Sequence, residues 1–130
     1  MKNLLVVSLF FVLLSSFTGS NNNLNAFEVS EIVWETDIHN FGEIPQGKPI
    51  SVDFKFTNTG NTPLVITDVK TSCGCTASNY SKKTIEPGKT SSITVSYNAK
   101  KIGAFTKTVS VFTNANELAK ELYISGTVVK

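Results

Sequence analysis

Arginine is absent from this chain, histidine occurs once, methionine occurs only at position 1, and the two cysteines stand two residues apart. Each scarcity excludes something. Without arginine there is no guanidinium fork, the group suited to bidentate capture of phosphate, carboxylate or a guanine edge. Nucleic acid is therefore not an expected partner. Lysine does not make up for it: twelve Lys face ten Asp plus Glu, and the nearest things to a cluster are Lys82-Lys83 and Lys100-Lys101. These doublets read as solvated turn residues. One His and no internal Met cannot complete a four-ligand zinc site built from Cys and His alone. The close cysteine spacing rules out the inter-sheet disulfide of antibody domains. Gly-x-Ser-x-Gly, a phosphate loop and a His-x-x-x-His pair are all missing. No cofactor is implied, and no enzymatic activity is expected.

Long apolar runs are scarce as well. The single one is Leu4 to Leu14, apolar except for Ser8, preceded by Lys2 and followed by small polar residues up to Ser20. A positive start, a short apolar run and a small-residue exit form a secretory signal peptide. Eleven residues are too few for a membrane helix, which needs about 20. The expected signal covers residues 1–20, with cleavage as late as Ala26; the alternative is a retained N-terminal anchor. No cysteine lies near the cut, which argues against lipid attachment there. The protein is thus expected to be exported, to a periplasm or the exterior, with no membrane span in its mature part.

Residues 21–30 make a polar lead-in, rich in asparagine, and residues 31–130 are expected to form one domain. Its pattern is strands and turns. Val52, Phe54 and Phe56 alternate with Ser51, Asp53, Lys55 and Thr57, the period of a half-buried strand. Ile93, Val95 and Tyr97 repeat it. Phe105, Val109 and Val111 continue it with Thr106 and Lys107 interleaved, and Leu122 and Ile124 follow. Ile32 to Trp34 and Leu64 to Val69 complete the set. Turn signals separate these runs at Pro45-Gln46-Gly47, Asn58 to Asn61, Pro87-Gly88, Gly103 and Asn114 to Asn116. Ala115 to Glu121 is the one short helix candidate. The fold class is all-β, an immunoglobulin-like sandwich of about seven strands. Trp34 and most phenylalanines of the domain read as core. Tyr80 is the one candidate for an exposed, carbohydrate-binding aromatic.

One motif carries chemistry. Cys73-Gly74-Cys75 stands between Ser72 and Thr76, just after a strand. In an oxidising compartment such thiols usually pair. Residues this close can be bridged if the backbone turns sharply, and Gly74 supplies that freedom. The closed ring is tiny, so its entropic stabilisation is slight. Four readings stand: a clasp that shapes the loop for a partner, a thiol–disulfide redox pair, a soft-metal site on Cys73 and Cys75, or two inert thiols. Ser72, Gly74 and Thr76 support the loop in each of them. His39 would serve a Cys–His pair only if it lay beside the motif. Its setting, Asp37 to Gly42, reads as a strand end before a turn. Asp53 and Glu86 are isolated carboxylates, and Asn79-Tyr80-Ser81 is a glycosylation triplet that occurs often by chance.

These residues together resemble a bacterial family known as domain of unknown function 1573. The matching pieces are Phe41-Gly42-Glu43-Ile44, Phe54 to Gly60, Pro63 to Ile66, Ser72 to Thr76, Ile85 to Gly88, Gly103 to Lys107 and Ile124 to Val128. The resemblance implies an immunoglobulin-like fold akin to Hydin-type and major-sperm-protein-like domains. It also implies an exported protein, often from Bacteroidetes-like bacteria, and no known activity. Prolines expected shortly after Thr76 and before Ile85 are replaced by Ala77-Ser78-Asn79 and Lys83-Thr84, which bears on loop rigidity rather than fold. The function these readings favour is a non-enzymatic binding or envelope-structural module. Its partner would be a protein or an envelope component, met at a sheet edge or through the loop from Cys73 to Tyr80. The alternatives are redox exchange or soft-metal binding through the cysteine pair.

Overall fold

The computed structural model describes residues 31–130. Lys2, Leu4 to Leu14 and Ser20 of the expected signal peptide, and the expected lead-in, lie outside the described residues. Eight strands form among the described residues, one more than the turn spacing suggests: β1 (Ile32–Trp34), β2 (Ile38–Pro45), β3 (Ile50–Asn58), β4 (Ile66–Thr71), β5 (Thr76–Tyr80), β6 (Thr90–Tyr97), β7 (Gly103–Thr113) and β8 (Asn116–Val129). They make two four-stranded sheets, ordered β1-β3-β6-β5 and β2-β8-β7-β4. All neighbours are antiparallel except β2 and β8. The extra strand comes from Thr76 to Tyr80, a polar stretch with no alternation to announce it.

The core lies between the sheets because the apolar residues repeat every second position. Phe54 and Phe56 of β3 meet Ile93, Val95 and Tyr97 of β6 from one sheet. Val109 and Val111 of β7 and Leu122, Ile124 and Val128 of β8 close it from the other. Burying each such side chain contributes roughly 1.5–3 kcal/mol. Trp34 tilts against Phe56 at 4.8 Å between ring centroids, and Tyr97 stacks on Phe105 at 3.9 Å. Tyr80 is no exposed aromatic; it is half-buried and packs on this core.

Three local expectations change. Ala115 to Glu121 is not helical but the hairpin turn and the start of β8, because its register follows β7 from Thr113↔Asn116 onward. Lys107 is not on the polar face. It shares the parity of Phe105 and Val109 and pairs with buried Ile124, so it is rooted on the inner face. Asn58-Thr59-Gly60 suits a tight connection with positive φ, yet Gly60 is not among the residues with left-handed backbone; Gly42, Gly47, Gly88 and Gly103 are. The turn after β3 is instead organised by Asn58, only 1% exposed. Its amide donates to the carbonyls of Thr62 and Ile85, both at 2.9 Å, and its Oδ1 accepts from the Gly60 N–H at 3.0 Å.

Gly126 has a packing reason. A Cβ there would stand 2.9 Å from the Gly42 carbonyl oxygen and 2.9 Å from the Phe105 ring, so only glycine lets β2 bulge against β8 at that point. Nearby, Lys120 donates to Asp37 at 2.9 Å. That hydrogen bond and the ammonium charge together hold the Asp37 carboxyl below the usual carboxylate range.

Candidate functional site

The cysteine motif occupies a crossover. β4 is an edge of one sheet and β5 an edge of the other, and Ser72 to Cys75 carries the chain between them. Sequence alone offers no fold-making reason for the motif; the topology supplies one. Cys73 and Cys75 are disulfide-bonded, with their Cα atoms 5.4 Å apart. Gly74 does not need left-handed backbone to allow this, and a Cβ at that position would meet nothing within 4 Å.

Hydrogen bonds tie the loop to both sheets. On the β7 side, the Ser72 N–H donates to the Thr108 carbonyl at 3.0 Å and the Thr108 N–H to Ser72 Oγ at 3.1 Å. On the β6 side, the Asn98 N–H donates to the Cys75 carbonyl at 3.0 Å. Within the loop, Thr71 Oγ1 donates to the Cys73 carbonyl at 3.2 Å. Thr76, only 5% exposed, directs its Oγ1 at the sulfurs, 3.6 Å from Cys73 Sγ and 4.0 Å from Cys75 Sγ. Ser72, Cys73, Gly74, Cys75 and Thr76 are thus brought together as one unit.

The other candidates stay apart from it. His39 is the second residue of β2, which runs on to Pro45 rather than ending in a turn at Gly42, and its ring lies edge-on to Phe41 at 4.6 Å. β2 and β4 are opposite edges of their sheet, so the ring is three strand positions away from the crossover. Asp53 accepts from Thr94 Oγ1 at 2.6 Å on the far face of the other sheet. Among the described residues no group of three or more His, Cys, Asp or Glu side chains is gathered in a way that would hold a metal ion. No helix among them is long and apolar enough to cross a membrane.

Two further features adjoin the crossover. β5 is the last strand of its sheet. Because Asn98 bonds to Cys75, the hydrogen-bonded pairs of the β5–β6 ladder are Ala77 with Ser96 and Asn79 with Thr94. The backbone N–H and C=O of Ser78 and Tyr80 therefore point away from β6, toward the free edge. At its far end Asn79, Tyr80, Ser81, Ser91, Ser92 and Thr94 line a shallow polar depression of about 330 Å³. The second feature is Lys107. The ladder ends at Thr71↔Val109 with one further bond from Ser72 to Thr108, so Lys107 is the next residue of β7 beyond the last contact with the crossover. Sequence reasoning passed over it, although its parity with Phe105 and Val109 is the signal that finds it.

Two four-stranded sheets, with a cysteine loop crossing from one to the other, define an immunoglobulin-like β-sandwich domain. The chain belongs to the family described as protein of unknown function (DUF1573), whose model matches residues 32–128. No curated protein is similar enough in sequence to match. Among solved structures it is similar to a protein of unknown function from Porphyromonas gingivalis W83 (TM-score 0.66, 14% identity, 81% of this chain and 51% of that one). It is also similar to the ASH / PapD-like domain 7 of human CEP192 (TM-score 0.67, 8% identity, 79% and 88%). The VesB protease of Vibrio cholerae contains a similar region (TM-score 0.60, 16% identity, 82% and 33%). At these identities the likeness is one of fold. This chain spans about half the length of the Porphyromonas protein and a third of the protease.

Proposed function

We propose that this is an exported binding or envelope-structural module that takes an extended segment of a protein partner onto the free edge of β5. The observation that carries the reading is the character of that edge. Sheet edges are normally guarded by charge, proline, bulges or shortness. β1 has three residues. β2 is bulged between Asn40 and Glu43 and ends on Pro45. β4 carries Asp68 and Lys70 and is irregular between Ile66 and Asp68. β5, Thr-Ala-Ser-Asn-Tyr, has none of these guards and keeps an unbroken register with β6. An incoming strand would bond to the outward groups of Ser78 and Tyr80, as in strand addition generally. The hydroxyl-rich depression beyond Asn79 would receive a polar side chain.

The test uses a photo-crosslinking residue at exposed Ala77 in the exported protein. A discrete adduct is expected in the envelope or external fraction, carried by a chain whose intact mass lacks the signal peptide. Ser78→Pro removes an outward donor without touching the β5–β6 ladder, so it should abolish the adduct while thermal stability is kept. An adduct that survives Ser78→Pro, or a chain that keeps its signal and stays in the cytoplasm, overturns the reading.

A further inference from the structure

We infer that Cys73–Cys75 is a thiol–disulfide exchange site, with Cys73 as the attacking thiolate, Cys75 as the resolving thiol, and Thr76 and Lys107 as its positioning residues. Three observations converge. The corner is fixed without the sulfurs: the bonds from Ser72 to Thr108, from Thr71 to Cys73 and from Asn98 to Cys75 all run through backbone or hydroxyl groups. The bridge itself closes only three residues. Its rupture leaves the loop held from both sheets.

Next, the buried Thr76 hydroxyl has only the two sulfurs as hydrogen-bond partners among the described residues, and Cys73 is the nearer. A disulfide sulfur is a weak acceptor, whereas a thiolate is an anion that gains much more from the same donor. The donor is already in place for a state that the oxidised form does not show. Third, Lys107 is the only charged residue in the inner row Phe105, Lys107, Val109, Val111. No side-chain hydrogen bond or ion pair joins its ammonium to another of the described residues. A cation rooted next along β7 from Thr108, which bonds to Ser72 beside Cys73, favours a thiolate at the crossover. Cys75, in contrast, packs against the core.

The chemistry balances with one substrate and one reductant. In the reduced form the Cys73 thiolate attacks a substrate disulfide R–S–S–R′. A Cys73–S–S–R bond forms and R′S⁻ leaves, taking a proton from solvent. Cys75 loses its proton to solvent and attacks Cys73 Sγ. The Cys73–Cys75 bond re-forms and RS⁻ leaves. Two electrons pass from the protein dithiol to the substrate disulfide, and an external dithiol of the export compartment restores the reduced pair.

The experiment takes the mature protein, reduces it, removes the reductant, and follows iodoacetamide alkylation by peptide mass across pH. Exchange with oxidised glutathione at pH 7 is timed in parallel. Cys73 is expected to alkylate first, with a midpoint below the roughly 8.5 of an ordinary thiol. Lys107→Met and Thr76→Val should each raise that midpoint and slow exchange, by about tenfold for the lysine. The Cys75→Ser variant isolates the Cys73 titration. A midpoint at or above the ordinary value overturns the inference, as does preferred alkylation of Cys75 or indifference to both substitutions. Loss of sheet structure on reduction also overturns it, because the bridge would then be a staple.

Discussion

β4 enters and leaves its sheet through two crossovers, and they are closed by different chemistry. At its start, the segment from Asn58 to Val65 is held by one buried amide, which satisfies the Thr62 and Ile85 carbonyls and the Gly60 N–H. Asn114 adds bonds to Val65 and Pro63. At its end, Ser72 to Cys75 is closed by a covalent bond over three residues and aimed at by a hydroxyl. A buried amide with every partner made has no alternative state of comparable energy. A short disulfide has one, its dithiol, reached by exchange without unfolding. The first crossover is built to stay as it is. The second is built to tolerate a change.

The largest effect should therefore come from the noncovalent corner. Asn58→Ala removes three hydrogen bonds at a site that is 1% exposed, although the Ile85 carbonyl keeps the Leu64 N–H. The expected loss is about 3 kcal/mol, or roughly 12–20 °C in the thermal midpoint of a domain this size. Urea unfolding checks it. A loss under about 1 kcal/mol would mean water replaces the amide, and the contrast between the corners would fail.

The covalent corner should matter less. Replacing Cys73 and Cys75 together by Ser removes only the closure of a three-residue ring, worth about 1.5 kcal/mol in the chain-entropy account. Serine keeps the loop polar and leaves the Ser72, Thr71 and Asn98 bonds in place. A loss as large as that for Asn58→Ala would make the disulfide the true anchor and reverse the ranking.

Much of the sandwich was legible because period-two alternation states which face of a strand is buried. Val52, Phe54 and Phe56 say so, as do Ile93, Val95 and Tyr97. β5 was not legible as a strand, since its residues are polar and its pairing is dictated by the neighbour β6. The start of β8 looked helical for the converse reason: Glu117, Leu118, Ala119 and Lys120 favour helix locally, and the hairpin with β7 overrides them. At the site, the cysteine pair and its flanking residues were plain to see. Their position between two sheet edges was not, because connectivity across a sandwich is a long-range property. Lys107 was legible in principle. Counting two residues from Phe105 and two from Val109 puts it inside, and only its charge argued otherwise.

Gly74 gives the smallest effect and the sharpest check on the second crossover. A glycine between two bridged cysteines suggests a backbone that only glycine adopts. The structure denies both usual reasons: the position lacks left-handed φ, and a Cβ would point into open space. Gly74→Ala should therefore change stability by less than about 0.5 kcal/mol, with a slight gain if the more restricted unfolded chain dominates. Intact mass after alkylation without reductant should still show both cysteines paired. If the alanine variant fails to close the bridge, or loses more than about 1 kcal/mol, the loop must pass through a conformation that the oxidised structure does not contain. The three-residue ring would then form by a route that needs glycine even though its end state does not.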